Sequence, residues 1–208
     1  MPQITQGIRS VLSIPTVYNL FGWVIGDSFG RRVFVNDYLH LQGGDRVLDI
    51  GCGPGAMFPY LPNVEYVGFD ASEEYIQAAQ ARYGDRATFY CNQVSAETLT
   101  YPSYFDLVLA IGVLHHLSDV EALQLCQLAE AALKPGGRFI TLDGCYFPGQ
   151  SPIAHYFLSR DRGQNVRNQD GYLKISQEVF PDVVSSIHHN LLRIPYTHIS
   201  LECRKPLD

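Results

Sequence analysis

The run Arg46-Val47-Leu48-Asp49-Ile50 is stopped at once by Gly51-Cys52-Gly53-Pro54-Gly55. The run reads as a buried strand. Three glycines at alternate positions let the chain reverse where side chains would block it. Backbone N–H groups in such a turn, and the start of a helix after it, can approach a ligand closely. Other apolar runs repeat the pattern. Tyr66-Val67-Gly68-Phe69 is a second strand, and Ala87–Cys91, Phe105–Ala110 and Arg138–Asp143 are the next three. Ser72, followed by Glu73 and Glu74, caps a helix that runs to about Tyr83. A second helix spans Asp119–Leu133, with Val120, Leu123, Leu125, Leu128 and Ala132 at apolar positions, and Lys134-Pro135-Gly136-Gly137 stops it. Residues 144–171 read as irregular, and Tyr172–Phe180 as a helix.

The end of the chain changes character. Val183–Leu192 and Tyr196–Cys203 are β-rich, with Arg193-Ile194-Pro195 between them. A connection that short holds no crossover helix, so the pair is antiparallel. The expected fold is α/β: a doubly wound, mostly parallel sheet with an antiparallel C-terminal hairpin. No repeat or linker divides the 208 residues, so residues 1–208 read as one domain.

Composition narrows the classes of function. At 46% hydrophobic and 17% charged, the chain has material for a core. Five cysteines, an odd number without a CxxC pair, point to reduced thiols and the cytoplasm. A net charge of -6 argues against nucleic acid as partner. Ser10–Gly26 is uncharged and follows Arg9, but it is too short and too polar to span a membrane. It reads as a helix packed on its own domain.

The glycine turn, with Ala56 counted, fits the G-x-G-x-x-A pattern of dinucleotide sites, and Asp70 stands 19 positions after Gly51. Nucleotide sites of both kinds use such a carboxylate for ribose hydroxyls. Asp49 tips the balance. A carboxylate two residues before the first glycine repels a pyrophosphate but attracts an ammonium and a sulfonium. The methionine half of S-adenosylmethionine carries both.

Val47-Leu48-Asp49-Ile50-Gly51-Cys52-Gly53-Pro54-Gly55 resembles the first motif of the class I S-adenosylmethionine-dependent methyltransferases. Phe105-Asp106-Leu107-Val108 with Val113-Leu114-His115-His116-Leu117, and Leu133-Lys134-Pro135-Gly136-Gly137-Arg138, resemble two later blocks in the same order. The resemblance implies a seven-stranded Rossmann-like sheet with an antiparallel last strand. It implies that Gly51, Gly53 and Gly55 line the methionyl and ribose portion beside Asp49. Asp70 would hold the ribose hydroxyls, and Ala71 or Ser72 the adjacent ring. Gln93 and Val94 stand where the family has an acidic residue and then a small one near the adenine. Ala110 and Ile111 would offer carbonyls to the ammonium. Residues 1–42 would form an N-terminal helical lid, with Tyr18 in its stretch Tyr18–Trp23. Residues 43–143 would be the cofactor core, 144–171 the acceptor-side loop, and 172–208 a helix and the hairpin.

The acceptor is less constrained. Ala110-Ile111-Gly112-Val113 lacks the Asn/Asp-Pro-Pro-aromatic signature of base and glutamine N-methyltransferases. Asp143 alone offers an acid at the ends of the fourth and fifth strands, so no catalytic metal is expected. His115 is a candidate base for a hydroxyl, which favours oxygen over nitrogen or carbon as the methylated atom. Asp143 and Tyr146 are the other candidates, and His116 reads as structural. Arg160, Arg162 and Arg167, with His155, make an anion-binding wall for a small acceptor. The alternative is an Arg–Asp network with Asp161 and Asp170 that ties the loop down. Three other functions are weighed: a non-catalytic cofactor-binding subunit, a dinucleotide oxidoreductase and an RNA methyltransferase.

Overall fold

The computed structural model describes residues 26–95, 98–99, 102–160 and 163–207. Tyr18, the stretch Tyr18–Trp23, Asp161 and Arg162 lie outside the described residues. The helices are α1 (Asp27–Phe34), α2 (Glu73–Tyr83), α3 (Asp119–Ala132), α4 (Pro152–Ser159) and α5 (Gln169–Gln177). The strands are β1 (Arg46–Ile50), β2 (Glu65–Asp70), β3 (Thr88–Cys91), β4 (Phe105–Ile111), β5 (Leu133–Tyr146), β6 (Arg167–Asn168), β7 (Asp182–His188) and β8 (His198–Arg204).

The sheet runs β3-β2-β1-β4-β5-β8-β7, and the two-residue β6 lies beside β5. The first five strands are parallel, while β8 is antiparallel to both β5 and β7. Strand order reverses between β1 and β4, so a crevice opens beyond their carboxyl ends. Alternate residues serve opposite faces. Leu48 and Ile50 pack with Ala122, Leu125 and Cys126 of α3 and with Tyr172 of α5. Val47, Leu107 and Leu109 pack with Phe34 of α1 and with Ile76, Ala79 and Tyr83 of α2.

Helix ends follow side-chain chemistry. The Ser72 hydroxyl accepts the Tyr75 N–H at 3.3 Å at the start of α2. Ser118 and Glu121 form a capping box on α3: the Ser118 N–H donates to Glu121 Oε2 at 2.9 Å, and Ser118 Oγ accepts the Glu121 N–H at 3.4 Å.

Five expectations are corrected. The buried stripe of α3 is Ala122, Leu125, Cys126, Ala129 and Ala132, and Val120 is exposed. Small side chains bring the helix close to the sheet, and hydrophobicity alone favoured the larger ones. Strand β5 starts at Leu133, opposite Phe105, and resumes with Arg138 opposite Leu107. The Lys134–Gly137 segment bulges between them, with Gly136 at a φ of 75°. Residues 144–171 are not all irregular. Ser151 accepts the Ala154 N–H at 3.1 Å and Pro152 takes the first helical turn, which together start α4. The Asn168 side chain caps α5, so that helix begins at Gln169 rather than Tyr172. Lastly, β7 stops at His188 and β8 starts at His198. The His188 ring packs edge-on against Tyr38 at 4.7 Å, and residues 189–197 form the connection. Among the described residues, no helix is long and apolar enough to cross a membrane.

Candidate functional site

A cleft of about 1070 Å³ opens at the carboxyl ends of β1, β2, β4 and β5. The glycine turn forms its floor. Gly51 and Cys52 donate their N–H groups to the Phe69 carbonyl at 2.8 and 3.0 Å, which fastens the turn to β2. Gly51 has a φ of 75°, and a Cβ there would stand 2.7 Å from Val113 Cγ2. Gly53 also has a positive φ, 55°, but a Cβ there would meet no protein atom within 4 Å. Its side of the turn is open. Gly55 packs under the Tyr83 ring.

Asp70 ends β2. Its Oδ2 accepts the Gly53 N–H at 2.9 Å and its Oδ1 accepts the Ser72 N–H at 2.8 Å. Two backbone donors thus hold the carboxylate at the cleft wall. Ala71, Ser72, Gln93 and Val94 continue that wall. Ala110 is fully buried within β4 and does not line the cleft; Ile111 and Gly112 do.

Asp49 lies beneath the turn, 1% exposed, and accepts the Tyr66 hydroxyl at 2.6 Å. Burial pushes its carboxyl up to about 6, against the opposing pull of the Tyr66 hydrogen bond and of Arg31. Arg31 is itself bonded to Asp27 at 2.7 Å. Both belong to α1, whose Asp27, Gly30, Arg31 and Phe34 all face the cleft. Their i, i+3, i+4, i+7 spacing is the sequence signal for this face, and Asp27 and Arg31 keep it from reading as an apolar stripe.

His115 and Asp143 come together on the acceptor side. His115 sits in a 3₁₀ turn after β4 and Asp143 near the end of β5. His115 Nδ1 is 2.8 Å from Asp143 Oδ1, and the His115 N–H donates to the same oxygen at 3.1 Å. A carboxylate at Nδ1 places the proton there and leaves the lone pair on Nε2. Asp143 is 1% exposed, and its Oδ2 has no partner among the described residues. Gly163 covers the ring: a Cβ on it would fall 2.0 Å from His115 Cδ2.

The remaining acceptor-side residues separate. Arg160 lines the cleft and lies over the Tyr156 ring at 5.5 Å. Arg167 does not line it. Its guanidinium donates to Asp119 Oδ1 at 2.7 Å and to the Leu114 and Leu117 carbonyls at 2.9 and 2.7 Å. It ties the loop down, as the alternative reading of the arginines held, with Asp119 as its acid. Tyr146 and His155 pack on each other, with ring centroids 5.2 Å apart, and neither lines the cleft. The Leu191, Ile194 and Tyr196 side of the cleft comes from the 189–197 connection, which is longer at both ends than the expected Arg193–Pro195 link. Among the described residues, no group of three His, Cys, Asp or Glu side chains is placed to hold a metal ion.

Residues 47–137 match the family described as methyltransferase domain. The chain is 30% identical over 155 residues to a phosphoethanolamine N-methyltransferase of Triticum aestivum, covering 72% of this chain and 30% of that protein. It is 34% identical over 124 residues to the 27-O-demethylrifamycin SV methyltransferase of Amycolatopsis mediterranei, covering 55% of this chain and 44% of that protein. The chain therefore spans less than half the length of these curated relatives. A solved structure of phosphoethanolamine N-methyltransferase 2 of Haemonchus contortus, in complex with phosphomonomethylethanolamine and S-adenosylhomocysteine, superposes with a TM-score of 0.72 at 16% identity. It covers 97% of this chain and 61% of that one, and shares the fold. The glycine turn, the carboxylate after β2 and these matches agree: residues 47–137 carry a methyltransferase domain, and the features of the site are those of class I S-adenosylmethionine-dependent methyltransferases.

Proposed function

We propose that this chain binds S-adenosylmethionine in the cleft and transfers its methyl group to an oxygen of a small acceptor, with His115 as the base. One observation carries the reading: the His115–Asp143 pair opens onto the same cleft as the Gly51–Gly55 turn. The wall fits the cofactor. The open side of Gly53 leaves room beside the turn, and Asp70 is oriented to accept ribose hydroxyls. Asp49 offers a buried negative charge to an ammonium, and Gln93 and Val94, which line the cleft, would border the adenine. Bound S-adenosylmethionine supplies a methyl already activated by sulfonium. The chain's own work is positioning and proton removal. Asp143 fixes the His115 ring, and His115 Nε2 takes the hydroxyl proton.

The relatives include both O- and N-methyltransferases. The His–Asp pair favours oxygen, because an alkyl hydroxyl gives up its proton less readily than an ammonium. The same pair speaks against a non-catalytic binding subunit. Five free cysteines support a cytoplasmic location. An extract screen with isotopically labelled methyl donor identifies the product by mass spectrometry. Tight cofactor binding with no labelled product from any extract would leave the non-catalytic reading.

Asp49 sets a pH dependence. With its carboxyl at about 6, it is charged at pH 7.5 and mostly neutral at pH 5. Affinity for S-adenosylhomocysteine, whose ammonium needs the charged form, should fall about tenfold between those values, by calorimetry. Asp49→Asn should bind more weakly at pH 7.5 and lose most of the pH slope. A slope unchanged in the variant removes Asp49 from the ammonium site.

Arg160 is the cation proposed for an anionic group on the acceptor. Arg160→Ala should raise the acceptor KM at least tenfold and leave cofactor affinity within about twofold. Arg160→Lys should not restore KM if the contact is bidentate. Equal KM values in steady-state kinetics would remove Arg160 from the acceptor site.

A further inference from the structure

Helix α4 carries two faces of different fate. Ala154 and Leu158 are buried, 4% and 1% exposed. Ile153, Tyr156 and Phe157 are large, apolar and exposed, at 56%, 56% and 37%. Single exposed apolar residues are ordinary and need no explanation. These three lie at i, i+3 and i+4, and Arg160 completes the stripe at i+7. The stripe is continuous with the site, because Phe157 and Arg160 line the cleft. Arg160 lies over Tyr156, so the charged end and the apolar track are in contact.

We infer that the exposed face of α4 is the seat for the apolar body of the acceptor, whose polar end enters the cleft at Arg160. The inference rests on the methyl-transfer reading above and deepens it: the substrate class is an amphiphile, anionic at one end and hydrocarbon or ring-bearing at the other. From Ile153 to Arg160 the helix rises about 10 Å, the length of an extended chain of about eight carbons. A lipid surface fits less well. Helices that lie on membranes carry Lys or Arg along their polar face. Pro152–Ser159 contains neither, and the nearest cation, Arg160, faces the cleft. The chain as a whole carries a net charge of -6, which anionic membranes repel.

The test titrates n-alkyl phosphates, from butyl to decyl, into the full chain saturated with S-adenosylhomocysteine, by calorimetry. A fully buried methylene tightens binding about fourfold, and one lying on an open face about twofold. Decyl phosphate should therefore bind the parent about sixty-fold more tightly than butyl phosphate. In the double variant Ile153→Ser/Tyr156→Ser that ratio should fall below about tenfold, with S-adenosylhomocysteine affinity unchanged. Both positions are more than half exposed, so the variant should fold, and circular dichroism checks it. A ratio near one in the parent, or an unchanged ratio in the variant, overturns the inference. So does flotation of the parent, but not the variant, with phosphatidylglycerol vesicles in the absence of a chain-length effect; α4 would then seat a lipid surface. If S-adenosylhomocysteine itself produces no heat, the methyl-transfer reading fails first. If it binds and chain length has no effect, only the amphiphile assignment fails.

Discussion

His115→Ala should lower turnover by about 10²–10⁴ while S-adenosylmethionine affinity stays within about twofold. The magnitude is that of removing a general base whose proton transfer is part of the rate-limiting step. The geometry explains why the effect should be confined to turnover. His115 reaches the cleft from the turn after β4, whereas the glycine turn and Asp70 hold their shape through bonds to β2 and α2. The companion variant Asp143→Asn keeps the volume but replaces the carboxylate at Nδ1. It should lower turnover less than His115→Ala, because the ring stays in place but loses the carboxylate that fixes its tautomer. Stopped assays with the identified acceptor, run between pH 5 and 9, measure both. A loss of only a few-fold for His115→Ala would mean that catalysis rests on positioning alone.

Asp70→Ala should weaken S-adenosylmethionine binding at least tenfold. A carboxylate accepting two ribose hydroxyls contributes about 1.5–3 kcal/mol for each hydrogen bond. Asp70 has a second task, because the same two oxygens accept the Gly53 and Ser72 N–H groups. The two tasks are separable by Asp70→Asn. The amide oxygen can still take one backbone N–H, but its NH₂ group cannot accept a hydroxyl. If ribose binding dominates, Asn should resemble Ala in cofactor affinity and resemble the parent in melting temperature. Calorimetry and thermal melts on both variants decide the matter, and unchanged affinity in Asp70→Ala would sink the ribose assignment.

The parts of the fold that were legible from sequence are those where local chemistry and tertiary context agree. Arg46–Ile50 and Glu73–Tyr83 have the expected limits, since each ends at a strong local signal: Gly51 after the strand, Ser72 before the helix. The misread parts are those where context decides. Ser151-Pro152 and Asn168 are helix starts, but Gly, Pro and aromatic residues around them read equally well as loop. The arginines show the same limit at the site. Arg160 and Arg167 are alike in sequence, yet one borders the cleft and the other is spent on the Leu114 and Leu117 carbonyls. Only the fold distinguishes the arginine that borders the cleft from the one that fastens the turn. Likewise, His115 and Asp143 each stood out alone, but their contact across β4 and β5 is a product of the parallel register.

The clasp around His115 bears on how this protein can be redesigned. Gly163 lies against the imidazole, Asn165 donates its N–H to the His115 carbonyl at 2.9 Å, and Arg167 grips the residues on either side of the turn. The base and the 163–167 strap are therefore a single mechanical part. A loop graft that includes the strap would alter the base together with the acceptor wall, and a new specificity would arrive with impaired chemistry. Helix α4 packs through Ala154 and Leu158 and turns its other face outward, so it can be varied without disturbing that part. Libraries aimed at a new acceptor belong on Ile153, Tyr156 and Phe157, with the strap left as it is.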